Sequence, residues 1–149
     1  MKIIQITDLH LGCDKNYSTF EVNTYQSARM IVNHIAESHK DLDALVISGD
    51  ISDDATKESY SNLLDITDKI DSDIYIMPGN HDSIKEIQEC ASSNKVNSEL
   101  YFTHGNWIYF MFNTKKDNSP NGFLKQNEIE IFRDMLSKNK DKYFMVFLH

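Results

Sequence analysis

An α/β fold, its sheet largely parallel in the first half, is predicted by three features of the sequence. Apolar runs at residues 2–7, 44–48 and 73–77 alternate with helix-patterned segments at residues 21–40 and 55–70, the order that builds a parallel sheet. The runs are short and rich in β-branched residues, as buried strands are. Each run then gives way to a polar cluster: Asp8-Leu9-His10, Gly49-Asp50, and Pro78-Gly79-Asn80-His81-Asp82. In an open sheet of this kind the working crevice lies beyond the carboxyl ends of the strands.

Taken in order, residues 2–7 (KIIQIT) form the first strand and residues 13–20 a loop. Over residues 21–40, Val22, Ala28, Ile31, Val32 and Ile35 fall on one stripe, with Arg29, Asn33 and Glu37 opposite, which is a helical pattern. Residues 44–48 (ALVIS) are the second strand. Asp53-Asp54 are placed to cap a helix over residues 55–70, where Tyr60, Leu63, Leu64 and Thr67 recur at three- and four-residue spacing. The third strand, residues 73–77, is turned sharply by Pro78 and Gly79, and a short helix over residues 83–91 leads into a Ser92-Ser93-Asn94 connection. Residues 99–103 and 107–113 read as strands joined by His104-Gly105-Asn106, a hairpin turn signal. A polar loop over residues 115–122 precedes an amphipathic helix over residues 126–136, with Ile129, Phe132, Met135 and Leu136 inward. Residues 143–148 (YFMVFL) are a last strand, followed by His149.

With 149 residues and no repeat, low-complexity tract or linker, one domain with a real core is expected over residues 1–149. The net charge of −8 provides no electrostatic footprint for a nucleic-acid backbone or an anionic membrane, so neither is an expected partner. An acidic chain can still hold a phosphate where metal ions supply positive charge locally. Cys13 and Cys90 have no CxxC spacing and read as reduced thiols. The first residues run straight into a strand without the apolar core of a signal peptide. No run approaches the roughly 20 apolar residues of a membrane span, and a cytoplasmic protein is expected.

Four apolar runs therefore end in groups that favour metals: Asp8 and His10, Asp50, Asn80 and His81, and His149. Singly, each has a plain structural reading, since an Asp after Gly is commonly a turn or a cap and a lone His commonly packs or faces solvent. Together they form a constellation, because parallel strands bring such ends side by side. Carboxylate, imidazole and amide ligands without a thiolate suit Mn, Fe, Zn or Mg. Asp8 and His10, at positions i and i+2, would share a strand face, and the two oxygens of Asp50 could bridge two ions. Two ions roughly 3.5–4 Å apart hold an attacking hydroxide and phosphate oxygens in line.

Asp8-Leu9-His10, Gly49-Asp50-Ile51-Ser52-Asp53 and Gly79-Asn80-His81-Asp82 resemble the D-x-H, G-D-x-x-D and G-N-H-(D/E) motifs of the calcineurin-like metallophosphoesterases. Within that superfamily the chain is most similar to the bacterial class III cyclic-nucleotide phosphodiesterases. The resemblance implies an αββα sandwich, of which this chain would supply the first sheet and part of the second. It implies two divalent ions, with manganese or iron favoured: Asp8 and His10 on the first, Asp50 bridging, and Asn80 with His149 on the second. His81 would sit over the leaving oxygen as a general acid or stabilise phosphoryl charge. Asp53 would orient His81, and Asp82 would support the turn.

The family closes its site with a later G-H-x-H motif that this sequence does not contain, so the chain reads as truncated at its C-terminus. It is expected to expose apolar surface and to bind metal more weakly than a longer parent. His104 lies in a hairpin turn and reads as structural, while His34 and His39 read as solvated. The implied activity is hydrolysis of a phosphodiester such as a 3′,5′-cyclic nucleotide by a hydroxide held between two metals. Alternatives are a phosphomonoesterase or nucleotide pyrophosphohydrolase with the same ligands, or a catalytically incomplete scaffold for a protein partner. Residues 13–20 and 113–122 are the loops placed to choose the substrate, and Tyr17 and Phe20 could stack a base or pack on the first helix.

Overall fold

The computed structural model describes residues 1–92, 95–117 and 119–149. The chain opens with β1 (Ile3–Ile6), a small hairpin of β2 (Ser18–Thr19) and β3 (Val22–Asn23), and α1 (Thr24–Ser38). It continues through β4 (Ala44–Ser48), α2 (Lys57–Thr67), β5 (Asp73–Met77), α3 (Ile84–Ala91) and β6 (Val96–Asn97). Then come β7 (Tyr101–His104), β8 (Trp107–Met111), α4 (Gln126–Lys138) and β9 (Tyr143–Phe147). Ser93 and Asn94 of the predicted connection, and Asn118 of the predicted polar loop, lie outside the described residues.

Two sheets result. One runs β1-β4-β5-β6 with every pair parallel, and the other runs β7-β8-β9 with β8 antiparallel to β7 and parallel to β9. Alternation along β4 sorts the core. Leu45 and Ile47 join Val32, Ile35, Leu63, Ile66 and Ile87 on the helical side. Ala44 and Val46 join Met77, Phe102, Tyr109, Met111 and Phe147 between the sheets. The outer face of the second sheet is covered by α4, whose Phe132 ring sits 4.9 Å from Phe110 and 5.8 Å from Phe144. This is the expected α/β/β/α layering. Exposed apolar side chains also line the β9 edge, at Tyr143, Met145 and Val146. Among the described residues no helix is long and apolar enough to cross a membrane.

Several boundaries depart from the sequence reading. Residues 21–23 are not helical, because Val22–Asn23 pair with Ser18–Thr19 and Asn23 caps α1 by accepting from the Gln26 amide at 2.7 Å. Val22 and Ile31 consequently leave the buried stripe, and Tyr25 enters it. Thr56, not Asp53 or Asp54, caps α2. Asp54 instead accepts from the Thr56 hydroxyl and from the Cys13 amide, both at 2.7 Å. Burial would raise the pKa of this carboxyl, but those bonds outweigh it and hold the value at about 2.

The loops that follow β1 and β4 run side by side. Asp8 N–H donates to Gly49 O at 3.1 Å, His10 N–H to Asp50 O at 3.0 Å and Leu11 N–H to Ile51 O at 2.8 Å. The loop after β5 is fastened to them by Asp82, which is only 2 % exposed. Its carboxylate accepts from the amides of Ser52 at 2.9 Å, Ile51 at 3.2 Å and Gly79 at 2.8 Å. The Tyr60 hydroxyl donates to it at 2.9 Å and accepts from the Ser83 amide. Burial, with the Asp82 charge, pushes the Tyr60 pKa upward, so the phenol remains a donor.

Removing that carboxylate leaves three backbone donors and a phenol without their acceptor. Asp82→Ala is expected to cost about 3 kcal/mol or more in chemical unfolding, and Tyr60→Phe roughly 1.5–3 kcal/mol. A loss within about 0.5 kcal/mol for Asp82→Ala, the range of an ordinary surface change, would show that the carboxylate does not fasten the loops.

Candidate metal centre

Asp8 and His10 stand beyond the end of β1, so they do not share a strand face as the spacing suggested. Both have left-handed backbone, at φ 57° and 45°, and Asp50 does too, at φ 47°. Non-glycine residues in this region cost roughly 1–2 kcal/mol each, and such outliers cluster where a site imposes geometry. The left-handed turns, not strand alternation, bring the two side chains together. Asp8, His10 and Asp50 each place a ligand atom within 4.8 Å of the others.

Hydrogen bonds fix which atoms face inward. His149 Nδ1 lies 2.9 Å from the Ser48 carbonyl, and a carbonyl can only accept, so Nδ1 carries the hydrogen. Its Nε2 then presents a lone pair to Asp50 Oδ2 at 3.3 Å. On the other side His10 Nδ1 lies 3.0 Å from Asp53 Oδ1. His10 Nε2 is thereby directed at Asp8 Oδ1 and Asp50 Oδ2, each 3.8 Å away. Imidazole lone pairs thus converge from two sides on one oxygen of a nearly buried carboxylate. Imidazole nitrogens and carboxylate oxygens facing one another at this separation are reconciled by a shared cation, a divalent ion or a proton on the ring, and the donor set fits hard to borderline divalent ions.

Close approach depends on two glycines. A Cβ on Gly79 would collide with the Asp50 carboxylate and amide, and one on Gly49, at φ 101°, would strike the His149 ring. With Gly79 bare, the His81 amide donates to Asp50 Oδ1 at 2.9 Å. Asn80, half-buried between them, has its carbonyl held by Lys115 Nζ at 2.6 Å.

His81 and Asp53 form a second group with His10. The His81 and His10 rings meet edge to face with centroids 4.9 Å apart. His81 Nδ1 lies 3.3 Å from the Asp53 carbonyl and 3.6 Å from its Oδ1, leaving Nε2 without a partner among the described residues, on a ring 42 % exposed. The Asp53 carboxylate is therefore nearer to His10 than to His81. Its other oxygen accepts from the Tyr17 hydroxyl, whose pKa this bond pushes up.

Of the other histidines, His104 lies 3.8 Å from Asp43, at the opposite end of the sheet, and His34 and His39 face each other on α1 and its C-cap. Lys115 and Tyr17 are contacts that motif reading missed, although both fall in loops singled out for substrate choice. The Tyr17 ring lies over Gly12, with its hydroxyl on Asp53.

A model of the calcineurin-like phosphoesterase family matches residues 1–149. The chain is 26% identical to the 3′,5′-cyclic adenosine monophosphate phosphodiesterase of Haemophilus influenzae, covering all of this chain and 55% of that protein. It is 28% identical to a 3′,5′-cyclic-nucleotide phosphodiesterase of Nostoc, over the whole chain and 56% of the relative. Identity is 30% to a probable cyclic nucleotide phosphodiesterase of Coxiella burnetii, over the whole chain and 59% of the relative. The chain thus spans a little over half the length of these relatives. The chain belongs to the calcineurin-like phosphoesterase family.

Proposed function

We propose that the chain supplies the metal-binding and proton-donating residues of a phosphodiesterase acting on a 3′,5′-cyclic nucleotide. The observation that carries this reading is the convergence of His10 Nε2 and His149 Nε2 on Asp50 Oδ2, at 3.8 and 3.3 Å. Asp8, His10 and Asp50 would hold one ion, and Asp50, Asn80 and His149 a second. When bound, such ions activate the attacking water and offset phosphoryl charge. Manganese or iron is favoured over zinc or magnesium. The cyclic-nucleotide substrate is supported by the names of the relatives, all of which are longer.

The protein's own groups have distinct work. Asp53 accepts from His10 Nδ1 and keeps that ring's Nε2 aimed at the carboxylates, as carboxylate–histidine pairs beside metals do. His81, its Nδ1 directed at Asp53, offers Nε2 to the leaving oxygen, where a proton would offset the charge of the departing alkoxide. Lys115 holds the Asn80 backbone in place through its carbonyl.

Metal binding should appear as stability. At Mn²⁺ near 100 times Kd, the folded state gains about 2.7 kcal/mol, a rise of roughly 5–10 °C in Tm for a chain of this size. EDTA or Asp50→Ala is expected to abolish the rise, and an equal rise in Asp50→Ala would place the ion elsewhere.

Hydrolysis of bis(p-nitrophenyl) phosphate and of 3′,5′-cyclic AMP with added Mn²⁺ tests the reaction. Asn80→Ala is expected to lose metal-dependent turnover. His81→Ala should lower kcat by about 10²- to 10⁴-fold while keeping the Mn²⁺-induced Tm rise. Absence of metal-dependent turnover in the full-length protein would end the enzyme reading in favour of a binding scaffold.

A further inference from the structure

A groove of about 260 Å³ runs from Asp8 and His10 along the side of α1. Its walls include Phe20, Val22 and Ile31, which are 96, 51 and 48 % exposed. These residues surrender apolar surface to water at the edge of the metal centre, and neither core cluster contains them.

The turn that presents Phe20 is costly. Thr19 pairs with Val22, so Phe20 and Glu21 are the two central residues of a two-residue hairpin loop, at φ 47° and 64°. Such loops favour Asn-Gly or Asp-Gly, because both centres are left-handed. A bulky residue there is a genuine outlier. Burial does not compensate Phe20, since it is almost wholly exposed. Strain without a packing return is the situation in which an outlier points to function.

A polar feature of the same groove lacks a partner. Thr24, 6 % exposed, contributes to the lining, and its Oγ1 is buried with no hydrogen-bond partner among the described residues. Buried hydroxyls are rarely left so. The groove therefore combines an aromatic face and aliphatic walls, with the Thr24 hydroxyl buried beneath them. Asp8 and His10 sit where it meets the candidate metal centre.

We propose that this groove is the nucleobase subsite: a flat, neutral heteroaromatic ring stacks on Phe20 and lies along the aliphatic walls of Val22 and Ile31. The assignment rests on the phosphodiesterase reading. A phosphoryl group held beside Asp8 and His10 would send its sugar and base along the groove. An anionic group is disfavoured there, because Asp8 is at hand and, among the described residues, no Lys or Arg lines the groove.

The test compares two cyclic diesters that differ only in the base: 3′,5′-cyclic AMP and methyl ribofuranoside 3′,5′-cyclic phosphate. Loss of one stacked base is worth about tenfold or more. Phe20→Ala should raise KM for the base-bearing diester about tenfold more than for the base-free one, with kcat little altered. Equal effects on the two diesters would overturn the subsite. A second measurement needs no turnover: millimolar adenosine should shift the methyl resonances of Val22 and Ile31 in the wild type and much less in Phe20→Ala. Unmoved methyls with intact turnover would overturn the subsite alone. Shifted methyls in a protein that hydrolyses neither diester would keep the subsite and break the phosphodiesterase reading.

Discussion

The Asp82 carboxylate is the constraint on which the rest of the centre depends. It is buried, and it gathers the amides of Ile51, Ser52 and Gly79 together with the Tyr60 hydroxyl. Backbone pairing between residues 8–11 and 49–51 already zips the first two strand-end loops together. Asp82 adds the third, so the loops carrying Asp8, Asp50 and Asn80 move as one unit. A buried charge is costly unless it is saturated with donors, and saturation by donors from two separate loops makes their spacing cooperative.

Rigidity of that kind is what three left-handed, non-glycine residues require. Asp8, His10 and Asp50 would each relax to ordinary backbone if the loops were free. Gly49 and Gly79 add the complementary condition, since without side chains they let the His149 ring and the third loop close around Asp50. Asp50 thus ends up with one oxygen accepting from the His81 amide and the other facing two imidazoles. Asp53 plays a wider part than its expected partnership with His81, lying nearer to His10 and taking a bond from Tyr17.

Much of this was legible in the sequence. The alternation of apolar runs with helical stripes pointed to the parallel sheet, and the strand-end clusters contain Asp8, His10 and Asp50, which the fold brings together. What could not be read was mostly backbone conformation. Asp8 and His10 were expected on a strand face, because spacing carries no sign of a left-handed φ. The hairpin at residues 18–23 was invisible for a related reason: Phe20-Glu21 is contrary to the turn residues that announce a hairpin. Two-residue β6 is too short to leave a pattern. Thr56 replaced Asp54 as the cap of α2 because Asp54 is drawn to the Cys13 amide, a contact from a loop distant in sequence. Lys115 and Tyr17 reach the centre from loops, where periodicity gives no direction.

If Asp50 bridges two ions, anomalous diffraction from crystals grown with Mn²⁺ is the most direct observation of it. The expected map has two peaks roughly 3.5–4 Å apart on either side of Asp50, one beside Asp8 and His10 and the other beside His149 and Asn80. A single peak reaching Asp50 from one side only, or peaks away from this carboxylate, would contradict the account.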